Sequence, residues 1–188
     1  MEFLTECSVM DDEFGKVGRL FLAAVPDANT AAQIHHRAGI LRRAHNLEGR
    51  LIEPDGLHVS LFFLGGLPEQ RVQLACAAAA DVRTEPFEVS FDRAVSFRGK
   101  PGNRPFVLFG GDGLRQLTSF RRTLAAAMTR AGLRRRANTN FTPHVTLLYD
   151  ARDVEEHPIA SIRWTVGEFV LIHSMRGHVQ LGRWPLRA

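Results

Sequence analysis

The sequence predicts an α+β fold, a single domain made of two related halves. Strands and helices are mixed without the strict alternation of a parallel sheet. A strand motif, His-x-Ser/Thr among aliphatic residues, occurs twice, in "GLHVSLFFLG" and in "FTPHVTLLYD". No Pro/Gly/Ser-rich linker separates the two copies, so the halves are expected to share one body.

Each element follows from local pattern. "GRLFLAAV" (18–25) reads as a buried strand stopped by Pro26 and Asp27. Ala31, Ile34, Ala38 and Leu41 then recur at helical spacing to about Asn46, with Asp27 or Thr30 as the cap. A short strand is expected at 50–52, then a turn at "EPDG" and the first motif strand at about 57–64. Pro68 suits the first turn of an alanine-rich helix over 69–82. Residues 87–97 alternate like a strand, 97–104 form a loop by their Gly, Pro and Asn content, and "PFVLFG" resumes as a strand. Leu117, Phe120, Leu124 and Met128 make one stripe of a helix over 114–131, with Gly132 as its C-terminal cap. The second motif strand follows, then two closing strands at 162–172 and 178–184.

Composition narrows the function classes. A chain of 188 residues with 45% hydrophobic and 23% charged residues can bury a substantial core and reads as soluble and globular. No apolar run approaches the roughly 20 residues of a membrane span. The first residues are acidic where a signal peptide would be basic, so a cytoplasmic location is expected. Residues 1–17 are expected to be an extension of a domain covering 18–188, and the acidic run at 11–13 a solvated tail. Cys7 and Cys76 lack the spacing of a disulfide framework or zinc site and are expected as reduced thiols, Cys76 packed in a helix. No metal, cofactor or obligate protein partner is expected, and the chain is expected to be a monomer.

The net charge is +4, and all but Lys16 and Lys100 of the 24 basic residues are arginines, whose planar fork suits phosphate. Pairs and triplets at 121–122 and 134–136 point toward a polyanionic substrate.

The paired motif carries the chemistry. Side chains at i and i+2 of a strand share a face, about 6.5–7 Å apart. His58 therefore shares a face with Ser60, and His144 with Thr146, while Val59, Leu61, Val145 and Leu147 face the other way. A lone histidine on a strand is commonly structural; a duplicated one with a hydroxyl beside it calls for a polar ligand, since an unpaired buried group costs about 1–3 kcal/mol. Two imidazoles with ordinary pKa values near 6.5 can serve as one base and one acid around neutral pH. In phosphodiester cleavage one removes a proton from attacking water and the other protonates the leaving oxygen. Ser60 and Thr146 can bond the non-bridging oxygens, where charge grows in the transition state. His35, His36, His45, His157, His173 and His178 show no ligand spacing.

These residues resemble the 2H phosphoesterase superfamily, in particular the bacterial LigT-like RNA 2′,3′-cyclic phosphodiesterases, also called 2′-5′ RNA ligases. The resemblance runs from about Arg19 to Leu186 through "RLFLAAVPD", "GLHVSLFFLG", "RPFVLFGG", "FTPHVTLLYD" and "FVLIHS…LGRWPL". It implies a bilobal fold, two pseudo-symmetric lobes of antiparallel sheet with outer helices around a central groove. It implies metal-independent opening of an RNA 2′,3′-cyclic phosphate to a 2′-phosphate. His58 would then be the acid, His144 the base, and Ser60 and Thr146 the phosphate ligands. The partner implied is an RNA 3′ end or a nucleotide carrying that cyclic phosphate.

The chain departs from the family at two points. Ser60 stands where threonine is commonest, and Tyr149 where many relatives have arginine. Strand parity turns Tyr149 away from His144 unless the strand ends or bulges there. Tyr149, Arg136, Arg152 and Arg104 are the candidate additional substrate contacts. The same machinery could act on 2′-5′ oligonucleotides, on ADP-ribose cyclic phosphate, or in reversible 2′-5′ ligation. A non-catalytic binder of RNA ends is the alternative from another class.

Overall fold

A computed structural model describes residues 19–133, 141–174 and 177–188. The expected 1–17 extension and the arginine triplet, Arg136 included, lie outside the described residues.

The order of elements is β1 (Arg19–Ala24), α1 (Ala28–Ala44), β2 (Val59–Gly65), α2 (Glu69–Ala80), β3 (Phe87–Ser96), β4 (Arg104–Phe109), α3 (Arg115–Arg130), β5 (Val145–Asp150), β6 (His157–Val166), β7 (Glu168–Ser174) and β8 (His178–Pro185). Short 3-10 turns at Pro54–Gly56 and Asp112–Leu114 precede β2 and α3. The strands form two four-stranded antiparallel sheets, ordered β2-β1-β7-β8 and β5-β4-β3-β6. In each sheet the strand following the His-x-Ser/Thr histidine lies at one edge. The two lobes expected from the repeat are thus present and equivalently arranged.

Local chemistry sets the helix ends. The Asp27 carboxylate accepts from Thr30 N at 2.9 Å and opens α1. Its buried stripe is Thr30, Ala31, Ile34, Ala38 and Leu41, the spacing read from the sequence. At the end of α3, Gly132 adopts φ +75°. Gly132 N donates to Thr129 O and Leu133 N to Met128 O, at 3.0 and 2.9 Å, which closes a Schellman cap. One large core cluster draws on both sheets and all three helices, with Phe91 stacked on Trp164 at 4.9 Å.

Three expectations are corrected. Residues 50–52 form no strand; Ile52 N makes a single bond of 2.7 Å to Leu147 O, too little pairing for a ladder. The run expected as one strand at 162–172 is two, broken at Gly167. β6 pairs with β3 in one sheet and β7 with β1 in the other, so Gly167 is where the chain crosses between lobes, and an apolar run cannot reveal such a switch. Cys76 is buried in α2 as expected but is disulfide-bonded rather than a reduced thiol.

Candidate active site

Two motifs, built alike, place the histidines. Each imidazole stands one residue ahead of its strand, because β2 begins at Val59 and β5 at Val145. His58 Nδ1 lies 2.8 Å from Gly56 O, and His144 Nδ1 lies 2.8 Å from Thr142 O. A carbonyl only accepts, so Nδ1 carries the proton in both rings and each Nε2 is left for a ligand. A phenylalanine flanks each ring at the same distance, Phe21 5.0 Å from His58 and Phe97 5.0 Å from His144.

Burial confirms the parity argument. Val59, Leu61, Val145 and Leu147 are buried in the core, whereas Ser60 is exposed and His58, His144 and Thr146 are half-buried. On the first sheet the face bearing Ser60 also carries Phe21, Ala23, Val170 and Ile172, a small apolar cluster separate from the main core. Burial pushes the His58 pKa down to about 4; the Gly56 carbonyl works in the opposite direction, and charges on His178 and then His144 add to the lowering.

Tyr149 reaches the His144 side of its sheet after all. The β4–β5 register pairs Val107 with Thr146 and Phe106 with Leu148, which leaves Leu147 as an extra residue, a bulge. Parity flips there: Leu147 and Leu148 are both in the core, and Tyr149, 47% exposed, shares the face of Thr146. The first motif repeats this. Ala23 pairs with Ser60 and Leu22 with Phe62, so Leu61 is the extra residue and Phe63, 43% exposed, emerges on the face of Ser60.

Two of the arginines expected as substrate contacts have carboxylate neighbours. Arg104 pairs with Asp153 at 3.5 Å and Arg152 with Glu48 at 3.6 Å. Arg152 lines a cavity with Arg42, Arg43, Asn46, Leu47 and Glu48 at the end of α1. Neither ion pair involves the histidines, and both are solvent-exposed.

Sequence reasoning passed over two residues that shape this site. Asp150, the last residue of the second motif, accepts from Glu48 N, Gly49 N and Arg152 N at 2.6, 2.8 and 2.9 Å. Burial raises its pKa, but these backbone donors outweigh that and leave it lowered. His178, the first residue of β8, lies 4.9 Å from His58, ring to ring, at 85°. Its partner is far off in sequence, so no spacing rule could have found it.

The family model of the 2′-5′ RNA ligase superfamily matches residues 25–178. The chain belongs to this superfamily. An RNA 2′,3′-cyclic phosphodiesterase of Escherichia coli is 32% identical over 182 residues, covering 89% of this chain and 96% of the relative. A protein of the same name from Archaeoglobus fulgidus is 27% identical over 130 residues, 69% of this chain and 70% of that one. Among solved structures, a phosphoesterase superposes with a TM-score of 0.76 at 27% identity over 92% of this chain and all of that one. Escherichia coli LigT bound to 3′-AMP superposes with a TM-score of 0.73 at 26% identity over 91% and 99%. The superfamily chain therefore has the bilobal phosphoesterase fold.

Proposed function

We propose that this superfamily member is an RNA 2′,3′-cyclic phosphodiesterase that opens a terminal 2′,3′-cyclic phosphate to a 2′-phosphate by proton transfer between two histidines. The observation that carries this is the matched pair of Nδ1 bonds, 2.8 Å in both motifs, which gives both rings the same tautomer with Nε2 as the unprotonated nitrogen. The Escherichia coli relative, matched over 96% of its length and named for this activity, supports it.

The proposed step is balanced by the two rings alone. His144 Nε2, unprotonated, takes a proton from water as the water oxygen bonds phosphorus. The P–O3′ bond breaks, and His58 Nε2–H delivers its proton to O3′. Ser60 and Thr146 donate to the non-bridging oxygens, and each proton-transfer role is worth about 10²- to 10⁴-fold. A His58 pKa of about 4 means that this ring is neutral at pH 7 until an anion approaches. The anionic substrate phosphate raises the His58 pKa, so the ring takes up a proton from solvent as the substrate binds, and a reluctant imidazolium is a strong donor to O3′.

The test is incubation with a 2′,3′-cyclic nucleotide in excess EDTA, with the product assigned by phosphorus NMR. Formation of the 2′-phosphate supports the proposal. A 3′-phosphate product, or no turnover, overturns it. Saturable, salt-sensitive binding of RNA ends without turnover would favour the non-catalytic reading.

A further inference from the structure

The two lobes treat their histidines alike in the carbonyl bond and in the flanking phenylalanine, and unlike in one respect. His58 carries a further ring, His178, at 4.9 Å and nearly perpendicular. The same imidazole stands edge-on to Phe21 at 5.7 Å. A Cβ added to Gly56 would lie 3.9 Å from His178 Nδ1, so His178 covers the turn whose carbonyl holds His58. In the second lobe the first residue of the corresponding strand is also a histidine, His157, but its Nε2 faces His45 Nε2 at 3.3 Å. Two near-equal imidazoles are poor acid and base partners; environments that push them apart assign the roles.

We propose that His178 is a positioning residue for His58, packing the ring against Phe21 and making it unequal to His144. The inference rests on the proposed role of His58 in proton transfer. A proton on His178 opposes one on His58, as the electrostatics of His58 record. The charged groups facing His178 come from several elements. Arg50, Glu53 and Asp55 share with it the wall of a cavity of about 470 Å³, and Arg50 pairs with Glu53. Across β7, Ser174 separates His178 from Arg19 on β1. Arg50 and Arg19 are cationic, and Glu53 and Asp55 are anionic. His178 is the group among these with a recorded ring contact to His58.

The experiment compares His178→Ala and His178→Phe in the full chain, following the His58 ring by nitrogen-15 NMR titration and turnover of a 2′,3′-cyclic nucleotide. In His178→Ala, loss of both cover and charge raises the His58 midpoint by about one pH unit, tenfold in proton affinity. Its kcat falls about tenfold as the ring loses its place, with KM changed by less than the kcat. His178→Phe restores the packing and recovers kcat, but the midpoint stays above wild type because the charge is gone. An unchanged His58 midpoint or an unchanged kcat in His178→Ala overturns the proposal. Should wild type not turn over the nucleotide while the midpoint still moves in His178→Ala, the proposed reaction falls and the positioning contact stands.

Discussion

Leu61 and Leu147 hold the same place in the two lobes: each is the extra residue of a bulge immediately after the motif hydroxyl. Each is at most 2% exposed, and each directs its carbonyl to a donor outside the strand. Leu61 O accepts from Arg121 Nε at 3.1 Å, and Leu147 O from Ile52 N at 2.7 Å. Arg121 in turn lies over the Phe141 ring at 4.1 Å, just ahead of the second motif. Strand parity keeps Ser60 and Thr146 on the histidine face, and the bulges bring Phe63 and Tyr149 round to it.

An exposed aromatic on that face suits a nucleobase. Stacking on an aromatic side chain is worth about 1–3 kcal/mol per base. Tyr149→Ala is therefore expected to raise KM for a short RNA cyclic phosphate about ten- to a hundredfold with kcat little changed. Tyr149→Phe should behave as wild type. Steady-state kinetics check both; an unaffected KM in the alanine variant would remove Tyr149 from the binding surface.

The motifs were legible because strand periodicity is local: a histidine and a hydroxyl two apart, among Val and Leu, can be read from ten residues. The bulges were not, since an extra residue shows only against a partner strand. Parity alone turns Tyr149 away from His144, and only the pairing with β4 shows that the bulge turns it back. The Gly167 crossing and the His58–His178 contact were hidden for a similar reason, as both depend on which sheet a strand joins. The carboxylate partners of Arg104 and Arg152 are likewise set by the tertiary fold and not by local pattern.

The catalytic assignment predicts loss without unfolding. His58→Ala and His144→Ala should each lower kcat by at least about 10²-fold. Ser60→Ala and Thr146→Val remove a donor to the charged oxygens and should each cost about tenfold or more in kcat. Thermal melts should stay near wild type for Ser60→Ala, whose side chain is exposed. Either histidine variant retaining near-full turnover would refute a shared site.

The lowered His58 pKa predicts proton uptake on anion binding. A phosphate beside the ring raises its pKa, so binding near pH 6 should draw in up to one proton per chain. Calorimetry of inorganic phosphate or 3′-AMP in buffers of different ionisation enthalpy reads this directly. Heat independent of the buffer would mean that the anion does not settle beside His58.

The same shift predicts acid sensitivity. The unfolded chain protonates this histidine near pH 6.5, while the folded chain resists until about 4. Folding stability from this group is therefore complete above pH 6.5 and is lost as pH falls toward 4, by roughly 3 kcal/mol. Denaturant titrations across that range should show the loss in wild type and a smaller one in His58→Gln. An equal loss in both would place the acid sensitivity in other groups.

Asp150 ties the end of the second motif strand to the chain that leads into the first. Its carboxylate receives three backbone N–H groups from Glu48, Gly49 and Arg152. Gly49 packs so closely that a Cβ would lie 2.0 Å from the Tyr149 carbonyl oxygen, a backbone atom with no freedom to yield. Asp150→Asn replaces an acceptor by an NH₂ group facing donors, and should cost about 2–4 kcal/mol in denaturant unfolding. Gly49→Ala should destabilise the fold as well and displace the backbone at Tyr149, raising KM along with it. The Asp150 carboxylate is held ionised by its donors, so its contribution is present at neutral pH and lost as pH falls below the ordinary carboxylate range. Wild-type unfolding midpoints in Asp150→Asn would show that the two motifs keep their relation by core packing alone.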